Sequence, residues 1–172
     1  MLIKTGGKVT YEAVMNNNEM PYLHQIILET LRLYPVVPYL DRECVALNGY
    51  TSDAFNNFTI PYRMPIIIPI FGLHRDEKFF PDPLKFDPER FAPNNKDNII
   101  DYSFIPFGSG SRNCIGERLA YLQMKVGIVK ILKDFRMEAT SRTPKMIEFE
   151  KRAMLIQSKH GLFMNLIKDP LL

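Results

Sequence analysis

The ten residues Phe107-Gly108-Ser109-Gly110-Ser111-Arg112-Asn113-Cys114-Ile115-Gly116 concentrate the chemistry of this chain. A glycine-rich loop there delivers one cysteine to the predicted start of a helix. Unpaired backbone N–H groups and the helix dipole favour negative charge at such a start. A cysteine so placed is expected to favour the thiolate, the nucleophilic and metal-binding form. Arg112 adds positive charge two residues earlier. Gly108, Gly110 and Gly116 allow tight turns or close approach by a flat ligand. The competing reading, for a lone cysteine, is a free thiol in a loop.

Two further charged sets stand out. Glu29 and Arg32 lie three apart on a predicted helix, and Arg90 lies in Pro88-Glu89-Arg90-Phe91. As an exposed i,i+3 pair, Glu29 and Arg32 contribute only about 0.2–0.5 kcal/mol, and they lie opposite that helix's apolar stripe. His74 and His160 look like metal ligands only in isolation, because Cys44, His74 and Cys114 lack zinc-site spacing. Cys44 reads as a small buried residue.

The elements that position these groups follow from periodicity and proline placement. Leu23, Ile26, Ile27, Thr30, Leu31 and Tyr34 form one helical face, with Pro21 in the first turn and Pro35 as the stop. A second helix is predicted from about Ile115 to Lys133, with Ile115, Leu119, Leu122, Val126 and Val129 as its stripe. Between them, Phe58–Ile60 and Ile66–Ile68 read as short strands. Residues 74–113, rich in Pro, Asp, Asn and Gly, read as a long irregular segment of the kind that carries function. In the tail, Ile147–Phe149, Met154–Gln157 and Leu162–Ile167 have strand character, and Ser158-Lys159-His160-Gly161 reads as a hairpin turn between the last two.

Composition narrows the class. The chain has 172 residues, of which 46% are hydrophobic and 24% charged, a globular balance. A net charge of +3 is too small to suggest a nucleic-acid binder. Two cysteines build no disulfide framework. Residues 1–10 carry Lys4, Gly6, Gly7 and Lys8, and are not expected to act as a secretory leader. The longest apolar run, Met64 to Leu73, is broken by prolines and falls well short of the roughly 20 residues of a membrane span. With no secretory signal read, the Asn57-Phe58-Thr59 sequon is taken as chance.

The set Phe107, Gly110, Arg112, Cys114 and Gly116 completes the pattern F-x-x-G-x-R-x-C-x-G. It resembles the haem-binding signature of the cytochrome P-450 family of haem-thiolate monooxygenases. Glu29-Thr30-Leu31-Arg32 matches the family's E-x-x-R on its helix K, and Pro88-Glu89-Arg90-Phe91 its P-E-R-F segment. Thr10–Met15, Leu40–Cys44 and Leu73–Asp76 look most like insect microsomal members that oxidise xenobiotics and plant toxins. Ser111 departs from the proline common before the arginine. Asn16–Met20 is longer than the usual approach to helix K.

The resemblance implies a fold that is mainly α with small β-sheets, of the α+β class. Residues 1–172 correspond to the C-terminal portion of a single domain, from helix K to the C-terminal β-hairpin, holding the proximal half of the haem site. It implies that Cys114 is the axial ligand of haem iron, where a thiolate pushes electron density onto the metal. It implies that Phe107 shields the sulfur, that Gly108 shapes the loop, and that backbone N–H groups near Ile115 and Gly116 donate to the sulfur. Arg112 and Arg42 would contact the haem propionates, against a plain surface role for Arg42. Ala120 and Met124 would touch the ring or simply pack. Glu29, Arg32 and Arg90 would form a buried structural triad. Val36 to Leu40 would be a strand on the substrate side, with Val37 the leading contact. Lys151 to Leu155, including Met154, would supply a second contact loop.

The same resemblance implies insertion of one atom of O2 into apolar small molecules, with electrons from an NADPH-dependent flavoprotein reductase. Arg118, Lys125, Lys130 and Lys133 are candidates to face that reductase, the alternative being a solvated helix face favoured for Lys130 and Lys133. The expected location is the cytosolic face of the endoplasmic reticulum membrane, through an anchor outside this chain. The A/G-G-x-D/E-T-T helix that delivers protons does not occur in the 172 residues. No catalytic proton-delivery residue is therefore assigned, and a non-catalytic product that at most binds haem or a partner is the competing expectation.

Overall fold

The computed structural model describes residues 10–168; the expectation for the first ten residues thus falls almost wholly outside the described residues. Helix α1 (Tyr11–Met15) is capped by Thr10, whose Oγ1 accepts from the Ala13 N–H at 3.3 Å. Helix α2 (Pro21–Leu33) has Pro21 in its first turn and closes where Tyr34 N–H reaches Thr30 O at 2.7 Å, just before Pro35. Its packing is broader than one stripe. Ile27 and Leu31 are buried, but Gln25, Glu29 and Arg32 are buried too. Thr30 is exposed, and its hydroxyl donates to Ile26 O at 2.7 Å. The turn at Pro88–Phe91 packs against α2, which is why its polar side is covered.

Three two-stranded antiparallel sheets follow. Strand β1 (Leu40–Glu43) pairs with β4 (Pro65–Ile68), setting Arg42 opposite Ile66. Strand β2 (Tyr50–Thr51) pairs with β3 (Thr59–Ile60). Strand β5 (Phe135–Ala139) pairs with β6 (Met164–Lys168). The strand expected over Val36–Leu40 begins only at Leu40, because residues 36–38 bend between Pro35 and the start of β1. Pro35 and Pro38 each lack the N–H a ladder needs.

The predicted hairpin about Ser158–Gly161 does not form. Glu150 N–H instead bonds Gln157 O at 3.1 Å, and Lys159 N–H bonds Glu148 O at 2.9 Å. Residues 151–156 therefore make the turn, and Phe149 bridges Ser158. Gly161, at φ +75°, redirects the chain so that β6 pairs with the distant β5.

Short helix α3 (Ile70–Leu73) leads into the irregular stretch, which contains only brief helical turns at Pro88–Phe91, Lys96–Asn98 and Gly110–Arg112. The core lies between α2, α3 and that stretch, and includes Ile27, Leu31, Leu33, Ile70, Phe80, Phe91 and Ala92. The last helix, α4 (Glu117–Asp134), starts two residues later than its predicted stripe, with Gly116 as N-cap. Ile115 precedes it and is fully exposed, Leu119 is exposed, and Leu122, Val126 and Val129 are half-buried. Mixed helix and small sheets make this an α+β arrangement.

Candidate functional site

The cysteine loop is shaped by backbone hydrogen bonds. Gly108 N–H reaches Ile105 O at 3.0 Å, Asn113 N–H reaches Gly110 O at 3.2 Å, and Cys114 N–H reaches Phe107 O at 2.8 Å. Gly108 and Gly110 sit at φ +78° and +76°, where a side chain would be strained. A Cβ on Gly108 would also stand 3.5 Å from Leu40 Cδ1, so the loop lies close against β1. Cys114 is exposed and makes no disulfide. A Cβ on Gly116 would come within 3.8 Å of its sulfur. Neither the Ile115 nor the Gly116 N–H meets a backbone acceptor among the described residues. Both donors are thus available beside the thiol.

Phe107 turns its ring to Tyr121 of α4 at 5.2 Å between centroids, and Tyr121 in turn meets His24 of α2 edge-on at 5.4 Å. This stack ties the loop to both long helices. Burial pushes the Tyr121 phenol up, and burial with nearby Lys125 pushes His24 down.

Glu29, Arg32 and Arg90 come together beneath the irregular segment. Arg32 donates through Nε to Glu29 Oε2 and through Nη2 to Glu29 Oε1, each at 2.8 Å. Its Nη1 reaches His74 O at 2.8 Å, and Nη2 also reaches Lys85 O at 3.2 Å. Glu29 Oε1 accepts from the Asp87 N–H at 2.8 Å, and Arg90 Nε stands 3.7 Å away. Arg90 Nη2 reaches Asp82 O at 3.0 Å. The exposed-pair alternative for Glu29 and Arg32 fails, since both have zero exposure.

His74 has no assigned role in the sequence, yet it is fully buried and its Nε2 accepts from the Ile105 N–H at 2.9 Å. Burial lowers its pKa from 6.5 to about 4; the Leu31 and Arg32 carbonyls oppose that drop, and the Arg32 and Arg75 charges add to it. Those carbonyls do not meet hydrogen-bond geometry at Nδ1, which lacks a partner among the described residues. The one sequence signal for it is a histidine at the end of the apolar run Ile66–Leu73.

The remaining expected residues fall in different places. Arg42 is half-buried, and its Nη1 donates to Asp41 O at 2.7 Å. It lines an open cleft of about 370 Å³ with Leu40, Ile68, Ile105 and Gly110. Arg112 is exposed, and neither arginine has a carboxylate partner among the described residues. Exposed Val37 and Met154 belong to segments joined where Ile156 N–H reaches Val36 O at 2.9 Å. Ala120 and Met124 are half-buried on α4. Lys125 does not face a partner: it is 1% exposed, and its Nζ donates to Asn17 Oδ1 at 2.6 Å. Helix α1 packs against α4, and burial lowers the Lys125 pKa. Arg118 and Lys130 are exposed, while Lys133 is half-buried. Cys44 is buried, with its thiol 3.5 Å from Ile60 O. His160 pairs with Glu148 at 3.4 Å. Among the described residues no three His, Cys, Asp or Glu side chains converge as a metal cluster, and no helix is long and apolar enough to cross a membrane.

This donor set fits a haem. It offers an accessible thiol flanked by glycines, two free N–H donors, and two guanidinium groups without carboxylate partners among the described residues, suited to a dianionic ligand. The family model for Cytochrome P450 matches residues 5–164. Similar proteins include "Probable cytochrome P450 6g2" of Drosophila melanogaster, 40% identical over 99% of this chain and 32% of its own length. "Probable cytochrome P450 6t3" of Drosophila melanogaster is 40% identical over 95% of this chain and 32% of its own length. "Cytochrome P450 9e2" of Blattella germanica is 39% identical over 96% of this chain and 30% of its own length. The chain spans about a third of the length of these curated relatives. It belongs to the cytochrome P450 family, whose members are haem-thiolate proteins.

Proposed function

We propose that these residues form the haem-holding part of a monooxygenase, in which the Cys114 thiolate would ligate the iron. The observation that carries this is Cys114 itself. It carries an exposed thiol free of any disulfide, and its backbone N–H donates to the Phe107 carbonyl on a loop with two glycines at positive φ. The bound haem supplies the O2-dependent redox chemistry. The chain's own residues hold it. Ile115 and Gly116 N–H groups donate to the sulfur and stabilise its charge. Arg42 and Arg112 neutralise the propionates by paired hydrogen bonds. Glu29, Arg32 and Arg90 keep the irregular segment in register under the loop.

In this reading Val37 and the Met154 loop contribute to the wall that selects apolar substrates, xenobiotics or plant toxins. Exposed Arg118 faces an acidic flavoprotein reductase that draws electrons from NADPH, while Lys130 belongs to a solvated helix face. The site works at the cytosolic face of the endoplasmic reticulum membrane. No A/G-G-x-D/E-T-T sequence occurs in the chain, and no proton-delivery role is assigned to its residues. These 172 residues are expected to bind haem without turning over substrate.

The test is the carbon-monoxide difference spectrum of the reduced, haem-loaded protein. A thiolate ligand gives a red-shifted Soret band, and Cys114→Ala abolishes it. A red-shifted band that survives Cys114→Ala overturns the assignment.

A further inference from the structure

We propose that His74 is a positioning residue: its ring fixes the Ile105 amide and so sets the loop that presents Cys114. The proposal rests on the reading of Cys114 as the haem ligand.

A continuous path of hydrogen bonds supports it. Arg32 Nη1 donates to the His74 carbonyl at 2.8 Å, and the Ile105 N–H donates to His74 Nε2 at 2.9 Å. The Gly108 N–H then donates to Ile105 O at 3.0 Å, and the Cys114 N–H to Phe107 O at 2.8 Å. One residue thus joins the buried ion pair, through its backbone, to the cysteine loop, through its ring.

The placement of His74 is over-determined. Its N–H bonds Ile70 O at 2.9 Å at the end of α3, and its ring lies 5.0 Å from that of Phe104. It has no exposed surface. A histidine that merely filled space would need no acceptor at Nε2. Here the acceptor serves a backbone N–H that lies outside every strand and helix, two residues before Phe107. Burial keeps the ring neutral at ordinary pH, and the tautomer with its proton on Nδ1 leaves the Nε2 lone pair for the Ile105 N–H. Without it the Ile105 N–H is stranded and the loop's entry is free to shift.

The experiment uses the full haem-loaded protein with two variants. His74→Leu keeps bulk and removes the acceptor. His74→Gln returns an acceptor oxygen at a similar reach. The expected result is about tenfold faster haem release in His74→Leu, with part of the reduced carbon-monoxide band moved out of the red-shifted position, and near-normal values in His74→Gln. Wild-type behaviour of His74→Leu, or equal loss in both variants, overturns the proposal. Amide exchange on the unmutated protein decides the matter even where His74→Leu does not fold. The Ile105 amide is expected to be protected, and exchange at the open-chain rate overturns the proposal. A Cys114→Ala protein that keeps the red-shifted band removes the ligand reading instead, and is thereby distinguishable.

Discussion

Arg32 meets Glu29 through two hydrogen bonds of 2.8 Å, and neither side chain has exposed surface. The pair is a junction, because Arg32 also binds the His74 and Lys85 carbonyls while Glu29 takes the Asp87 N–H. Removing one partner strands a buried charge and two segments of backbone. Arg32→Ala is expected to destabilise by about 3–5 kcal/mol. Arg32→Lys should lose nearly as much, since one ammonium cannot reproduce the planar fork. Urea midpoints of the haem-loaded protein measure both, and a loss within about 0.5 kcal/mol for either contradicts the junction.

Haem retention should depend on the two guanidinium groups near the loop. Arg42 lines the cleft beside Leu40 and Gly110, and Arg112 sits in the turn two residues before Cys114. Each carries a charge with no carboxylate opposite it among the described residues. Arg42→Ala and Arg112→Ala are each expected to weaken haem binding by about 1.5–3 kcal/mol, the range for hydrogen bonds to charged groups. Haem transfer to an acceptor protein reads this directly. Unchanged transfer rates in both variants would exclude a propionate role, whatever happens to stability.

Local signals in the chain announce much of this architecture. Pro21 and Pro35 bracket α2, and the five fixed positions from Phe107 to Gly116 mark the loop, because both depend on residues close in sequence. Pairing at a distance leaves no such trace. A polar four-residue stretch at Ser158–Gly161 has the composition of a turn, but β6 finds its partner in β5, more than twenty residues upstream. The periodicity of α2 shows one apolar face and hides the second, since Glu29 and Arg32 are buried by segments that approach from far along the chain. His74 and Lys125 are illegible for the same reason: burial of a polar side chain is a tertiary event.

Lys125 illustrates the consequence for partner binding. Among the described residues a single hydrogen bond, to Asn17, offsets the burial of its ammonium. Lys125→Met preserves the stem and removes the buried charge, so it is expected to be neutral or stabilising by about 1 kcal/mol. Under the proposed docking of a flavoprotein reductase, the hidden head group should leave the salt dependence of association unchanged in Lys125→Met. Arg118→Ala, at an exposed position, should instead slow association at low salt and converge with wild type at high salt, while Lys130→Ala on the solvated face should change neither. Stopped-flow reduction at two ionic strengths checks this. A slower low-salt rate in Lys125→Met would return that lysine to the docking face.

Acid should loosen the structure beginning with buried His74 and half-buried His24. Burial pushes His74 down from 6.5 to about 4, aided by the Arg32 and Arg75 charges, and burial with Lys125 nearby lowers His24. An unfolded chain protonates these rings near their ordinary pKa, while the folded chain does not. Between pH 6.5 and about 4 the unfolded state therefore binds more protons, and stability rises with pH across that window. The stabilisation is fully present above about pH 6.5 and is lost as pH falls toward the folded pKa. For His74 the full loss is on the order of 3 kcal/mol. Denaturant midpoints taken from about pH 7 down to about pH 4 should fall steadily, and His74→Gln, which cannot titrate, should flatten the slope. An unchanged slope in His74→Gln would show that the ring is already protonated, or free to protonate, in the folded protein.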